Sequence, residues 1–212
     1  MMTIGENLIN KKNMKKSISA LVVAVLVLIN TNSFSYSSDP KTFIAELVDD
    51  AIKTLSDKSV SKADKAKKIE TIALEHVDID AIAMYTLGSI RKTLNQNTLK
   101  KYRELFEKYF LKSLTSRLTD YSDNKFEVIS ADQKSETTTI VTSKIAESSS
   151  QPEIKIEWRV YTKDPARPLI RDLRVEGLSI ARTQKEEFSS ILNSNNNDIN
   201  ILFSKLEEFI KN

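Results

Sequence analysis

The residues in this 212-residue chain that could carry chemistry are few and scattered. It holds one histidine and no cysteine. That removes most nucleophile–base pairs and the common zinc sites, which depend on imidazole and thiolate groups. His76 closes a helical stretch, where an imidazole reads as an exposed or capping group rather than a general base. The adjacent pairs Asp49–Asp50 and Glu186–Glu187 cannot converge, because neighbouring positions on a helix point in different directions. They read as solvated faces and not as metal ligands. Asp172 and Glu176 share one side of an extended segment with Arg174 between them, which suits an ion-pair ladder. No glycine-rich phosphate loop is present. The chain nominates no enzyme, no metal site and no cofactor.

Net charge gives little more. The formal value of +3 rests on the first 35 residues, which carry four lysines and one glutamate; the remainder is balanced. A nucleic-acid partner, which needs a basic face, therefore loses its support. Arg91, Lys92 and Arg117 are candidates for meeting a partner or a membrane surface, with solvated helix faces as the default reading.

The first 35 residues read as an address. In "MKKSISALVVAVLVLIN" two lysines precede an apolar run from Ile18 to about Ile29, which is short for a membrane span. Ser33 and Ser35 follow as small residues at the −3 and −1 positions of a cleavage site. This is the layout of a secretory signal peptide, with Met14 an alternative start. A signal anchor is the competing reading. No cysteine follows the run, so a lipid-anchored lipoprotein is not expected, and an exported chain without cysteine must fold without disulfides. The expectation is a signal peptide over residues 1–35 and one domain over 36–212, soluble in the periplasm.

The elements that must position any site begin with helices. Asp39 and Pro40 are a cap and first residue for a helix with Phe43, Leu47, Val48, Ala51, Ile52 and Leu55 on one face. Ser61 and Asp64 open a second helix that runs to about His76, and Asp80 caps a short third ending at Gly88. A long helix over about residues 98–121 carries Leu99, Tyr102, Phe106, Tyr109, Leu114, Leu118 and Tyr121 at helical spacing. The period then becomes two. "KFEVIS", "TTTIVTSKI", "EIKIEWRVYT" and "LIRDLRVEGLSI" predict a four-stranded antiparallel meander. Ile154, Ile156, Trp158 and Val160 lie on its dry face. Thr183 and Glu186 form a capping box before a penultimate helix, and a last amphipathic helix passes through Leu202, Leu206 and Ile210. The predicted class is α+β: N-terminal helices, a four-stranded antiparallel sheet and C-terminal helices, with helices on the sheet's dry face.

One stretch resists this reading. In "IRDLRVEGLSIARTQKEEF" Leu173 and Val175 share a strand face, Leu178 and Ile180 take the opposite one, and Gly177 stands between. A strand alternates strictly, so the switch needs a bulge or a bend.

The segment from "VDIDAIAMYTLGSIRKTL" to the end of the long helix, followed by "RDLRVEGLSIARTQKEEFSSIL", resembles the MlaC family of periplasmic phospholipid carriers, also called toluene-tolerance proteins. The resemblance covers about residues 40–210; Asp80, Leu87–Gly88 and the run from Asp172 through "VEGLS" to Phe188 are its most specific parts. Pro168, Gln184 and Lys185 depart from the family pattern, which usually has tryptophan, an aromatic and arginine there.

The resemblance implies a carrier that shuttles a phospholipid between an outer-membrane lipoprotein complex and an inner-membrane ABC transporter, maintaining outer-membrane lipid asymmetry. It implies a monomer that holds the lipid as cargo inside an apolar cavity and needs no cofactor. Burying two acyl chains of about sixteen carbons at about 0.8 kcal/mol per CH₂ would exceed the ~18–21 kcal/mol at which non-covalent affinity saturates. Transfer from a bilayer into a dry pocket avoids that limit, because the tails never meet water. The implied walls are Ile140, Ile156, Trp158, Val160, Leu173 and Val175 from the sheet, and Met84, Leu87, Phe106, Tyr109 and Phe110 from the helices. Gly177 would clear a slot for hydrocarbon, or it would only let the strand turn into the next helix. A protein-binding adaptor or chaperone with an apolar groove is the alternative function.

Overall fold

The structure is a computed structural model that describes residues 36–118, 125–147 and 152–212. The predicted signal peptide, Tyr121 and most of the turn after residue 147 lie outside these residues, as do the side chains of Arg117 and Leu118.

Helix α1 spans Pro40–Ser56, with the Asp39 carboxylate accepting from the Thr42 amide at 2.9 Å. That bond satisfies an amide with no partner inside the helix, and proline at the first position needs none. Helix α2 is Lys62–His76; its Ser61 hydroxyl bonds the Asp64 carboxylate at 2.6 Å and accepts from the Asp64 amide at 3.1 Å. Both follow the sequence reading. Helix α3, Ile79–Thr86, is capped by Asp78 rather than Asp80. The chain is still extended at Val77, which bridges to Ile170, so the first helical turn begins one residue after Asp78. Asp80 instead lies 2.6 Å from the Arg103 guanidinium. Helix α4, Gln96–Leu118, starts slightly earlier than expected because the Asn95 side chain accepts from the Thr98 amide.

The sheet is antiparallel in sequential order: β1 (Phe126–Ser135), β2 (Thr138–Ile145), β3 (Ile154–Tyr161), β4 (Leu169–Val175) and β5 (Leu178–Ser179). It has five strands where four were predicted. The fourth predicted strand is in fact β4, a two-residue turn and β5, with Val175 opposite Leu178 and Arg174 opposite Ser179. Glu176 and Gly177 both take positive φ, 50° and 80°, the geometry of a two-residue hairpin loop whose twist suits the flanking strands. The switch of apolar face is therefore a chain reversal.

A true phase change lies elsewhere in β4. Asp172 faces Arg159 and Ile170 faces Val160, leaving Arg171 as the extra residue of a bulge. The bulge puts Ile170 and Leu173 on the same face. Arg171 uses its release from the ladder to pair with Asp78 at 2.8 Å and to stack 3.3 Å over the Tyr161 ring. On the other flank, β1 is interrupted twice, at Val128/Ser130 and at Gln133/Ser135, and Lys41 donates to the Ile129 carbonyl there.

Helix α5, Ile180–Asn193, starts earlier than the expected capping box. Ser179 is its N-cap and accepts from the Arg182 amide at 3.0 Å, while Glu186 pairs with Arg182 instead. Asp172 accepts from the Ser179 hydroxyl at 2.6 Å and from the Ala181 amide at 3.1 Å. The expected ladder through Asp172 therefore does not form; Arg174 reaches Glu157 across the strands instead, at 3.9 Å. Helix α6, Ile199–Lys211, completes the chain.

Apolar side chains gather in two cores. The first is helical and joins α3, α4, α5 and α6 through Leu87, Tyr102, Phe106, Phe188, Leu202 and Leu206. The second sets Phe43, Ile44 and Leu47 of α1 against Val141, Val160 and Ile170 of the sheet. Val77 touches both.

Candidate functional site

The sheet register assigns the dry face rung by rung. Thr139, Val160 and Ile170 form one rung, and all three are buried. The next is Val141, Trp158 and Leu173; Val141 is fully buried, while Trp158 and Leu173 are only half-buried. The third is Ser143, Ile156 and Val175, running from fully buried at Ser143 to half-buried at Val175. Cover thus weakens from β2 toward β4. The cause is the placement of α1, which packs on β1 and β2. Helices α3 and α5 meet β4 without sealing its last residues. Ile156, Leu173 and Val175 join neither cluster. Ile156 is buried, and Leu173 and Val175 beside it are only partly covered; this apolar strip is the candidate site.

Trp158 borders this strip and packs against the second core. Its indole N–H donates to the Ser143 hydroxyl at 2.8 Å, and its ring meets Phe126 edge-on at 6.2 Å between centroids. A buried serine that fixes a tryptophan edge gives the ring one orientation, which an apolar residue there would not. Ser143 was not among the expected wall residues. Its signal was present, since Thr139, Val141 and Ser143 share a phase, but only the pairing of Val141 with Trp158 shows that this phase faces inward.

The expected walls separate into three groups. Ile156, Trp158, Val160, Leu173 and Val175 do share the dry face. Leu87 and Phe106 are buried in the helical core, with Met84, Tyr109 and Phe110 packed against it. Ile140 and Gly177 join neither set. Ile140 stands between Asp132 and Arg159 on the opposite face from Val141, so it is a wet-face residue. Gly177 lies in the hairpin turn, and a Cβ built there would meet nothing within 4 Å. Its missing side chain answers a demand of backbone conformation and clears no slot.

Two open grooves are formed elsewhere. One of about 670 Å³ runs along α5 and the end of α3, lined by Tyr85, Arg182, Lys185, Glu186, Ser189 and Asn193 among others. The other, about 480 Å³, lies between α1 and β1 and includes Ile52, Phe126 and Val128. None of the expected wall residues lines either groove.

No acid–base constellation accompanies the strip. His76, expected to be exposed or capping, is wedged between the rings of Tyr36 and Phe43, at 4.6 and 5.7 Å. Neither of its ring nitrogens has a hydrogen-bond partner, and burial holds its pKa below the usual value. Among the described residues no group of three or more His, Asp or Glu side chains could hold a metal ion, and no helix is long and apolar enough to cross a membrane.

The family model of the MlaC protein matches residues 45–208, more than half of the chain. The chain belongs to the MlaC family. A solved structure of similar fold is the phospholipid-binding protein of Ralstonia solanacearum in complex with a phospholipid. It matches with a TM-score of 0.66 at 15% identity, over 79% of this chain and 94% of that one. At that identity the likeness is one of fold. A search of curated proteins returns no match.

Membership of the MlaC family gives the departures noted in the sequence a structural setting. Gln184 accepts a hydrogen bond from the Tyr109 hydroxyl at 2.7 Å, tying α5 to α4 through a polar contact. Lys185 extends over the Tyr85 ring, 5.1 Å from its centroid, and its stem runs close to Gly88. Pro168 is buried just before β4. Of the cationic side chains singled out earlier, Arg91 donates to the Met84 carbonyl at 2.9 Å and so closes the end of α3.

Proposed function

We propose that this protein is a periplasmic phospholipid carrier, exported by a cleaved signal peptide, that moves a lipid between an outer-membrane lipoprotein complex and an inner-membrane ABC transporter. The observation that carries the reading is the strip of Ile156, Leu173 and Val175, apolar, on the dry face and in neither core, in a chain of the MlaC family. The phospholipid bound by the Ralstonia protein of the same fold supports it further.

The acyl chains would lie along the second and third rungs, with the fixed Trp158 ring as a wall and the α3–α5 side of the helical core opposite. Half-covered apolar side chains are a cost to a chain in water, at about 25 cal/mol for each Å² left exposed. A hydrocarbon tail removes that cost, and the exchange with a bilayer keeps the tail dry throughout. The step is pure transfer: no bond forms or breaks, so it needs no nucleophile, metal or cofactor. The lipid headgroup stays in solvent.

The test is to purify the protein from a periplasmic extract, extract it with organic solvent and identify what is released by mass spectrometry. Phospholipid at about one molecule per protein is the expected result. A co-purified polypeptide without lipid would point to an adaptor, and a protein free of both would overturn the carrier.

A further inference from the structure

The third rung of the dry face does not end at Val175. Val175 stands opposite Leu178 across the β4–β5 turn, and directly opposed residues of an antiparallel pair share a face. Leu178 is therefore the outermost member of a row that runs Ser143, Ile156, Val175, Leu178. Exposure rises along it without a reversal: 0% at Ser143, 9% at Ile156, partial at Val175 and 72% at Leu178. The row leads from a sealed interior to open solvent, and its last three members are all apolar.

A lone exposed leucine on a protein surface needs no explanation, but one continuous with half-covered apolar neighbours does. Two further features set Leu178 apart. It lies on the outer strand of the sheet, where chains ordinarily place charge or proline to discourage pairing. It is also held from both sides. On one side the Glu176 amide donates to the Lys155 carbonyl at 3.0 Å, while the Glu176 carboxylate accepts from the Lys155 amide. On the other, the Ser179 hydroxyl donates to Asp172 at 2.6 Å. The turn thus presents an apolar side chain to water at a fixed position, although a polar residue there would meet the same backbone demands.

We propose that the β4–β5 edge is the doorway of the lipid site and that Leu178 is its threshold, the side chain an acyl chain crosses on its way to Val175 and Ile156. The inference deepens the carrier reading above and rests on it. A tail entering here meets hydrocarbon at each step from the bilayer to the strip. At the opposite edge of the sheet the Lys41 ammonium stands on the Ile129 carbonyl.

The test uses purified protein stripped of lipid and mixed with vesicles of phosphatidylethanolamine and phosphatidylglycerol. Phospholipid bound per protein is followed with time by mass spectrometry. Leu178→Asp should load at least about tenfold more slowly than wild type, because each tail must pass a carboxylate. Leu178→Met should load as wild type does. Ile129→Asp places the same charge on an exposed apolar position of β1 and should also load at the wild-type rate. Wild-type loading of Leu178→Asp, or equal slowing by Ile129→Asp, would overturn the doorway and leave the carrier standing. A wild-type protein that takes up no lipid would overturn both. A second readout needs no introduced charge. The chain has no cysteine, so Leu178→Cys accepts a single polarity-sensitive fluorophore. Its emission should shift to the blue as lipid loads, and an unchanged spectrum at full loading would remove Leu178 from the path.

Discussion

In the helical core Tyr102, Phe106 and Leu202 are closed off by several helices at once, and even the buried hydroxyls of Thr86 and Tyr102 bond each other at 2.7 Å. On the sheet, the same kinds of side chain grade from full burial at Val141 to partial cover at Leu173. Composition does not cause the difference; the covering element does. Four helices wrap one core, whereas a single helix, α1, lies over the other; it packs mainly along β1 and β2 and reaches Val160 and Ile170 at one end of β3 and β4. The contrast teaches that an apolar side chain is defined as core or site by what lies opposite it. Leucine in one place fixes the fold; leucine in the other is, under the carrier proposed above, the surface that receives hydrocarbon.

Substitutions can break that contrast. Phe106→Ala should have the largest effect, a loss of about 3–5 kcal/mol in denaturant unfolding, because it empties a closed site. Leu173→Asp should do the reverse. Its half-covered position keeps the loss of stability small, while a carboxylate placed against a fatty tail should lower bound phospholipid at least about tenfold by mass spectrometry. If Leu173→Asp unfolds the protein as Phe106→Ala does, the two regions do not differ.

Gly177→Val sharpens the boundary of the site. A β-branched residue at φ 80° should cost about 1–2 kcal/mol, read as a lower denaturation midpoint, with lipid content equal to wild type. A fall in lipid content would return Gly177 to the cavity wall. The smallest effect belongs to His76, whose pKa is depressed by burial, with Glu75 opposing and Arg167 adding to the shift. A depressed imidazole binds its proton better in the unfolded chain. Its neutral form therefore holds full stability above pH 6.5, and stability falls on acidification through the folded pKa. Tyr36 and Phe43 on its other sides supply no compensating charge, apart from Asp50 and Glu46 beyond the Tyr36 ring. His76→Phe should flatten that acid limb in thermal melts.

Much of this was legible in the sequence where local chemistry decides structure. Asp39–Pro40 and Ser61–Asp64 mark helix starts because capping needs only neighbours a few residues away. The dry face of β3 was legible for the same reason, being simple alternation. What failed depended on partners distant in sequence. Leu178 is apolar yet 72% exposed, so alternation read through the hairpin as though the strand continued. The bulge at Arg171 follows from its pairing with Asp78, 93 positions away, which no local pattern reports. Ile140 outranks Val141 on hydrophobicity, and only the neighbouring strand reveals that Val141 faces inward. The family resemblance supplied the expectation of a lipid site; which rungs remain uncovered came from the placement of α1.

The twice-interrupted β1 bears on how such a molecule survives at high concentration. An outer strand with a straight row of free amides and carbonyls invites a second copy to add itself as one more strand. Here the row is broken at two points, and Lys41 occupies a carbonyl and lends it a positive charge. Two breaks and a bound lysine leave this outer strand fewer regularly spaced partners to offer a second copy than an uninterrupted strand would.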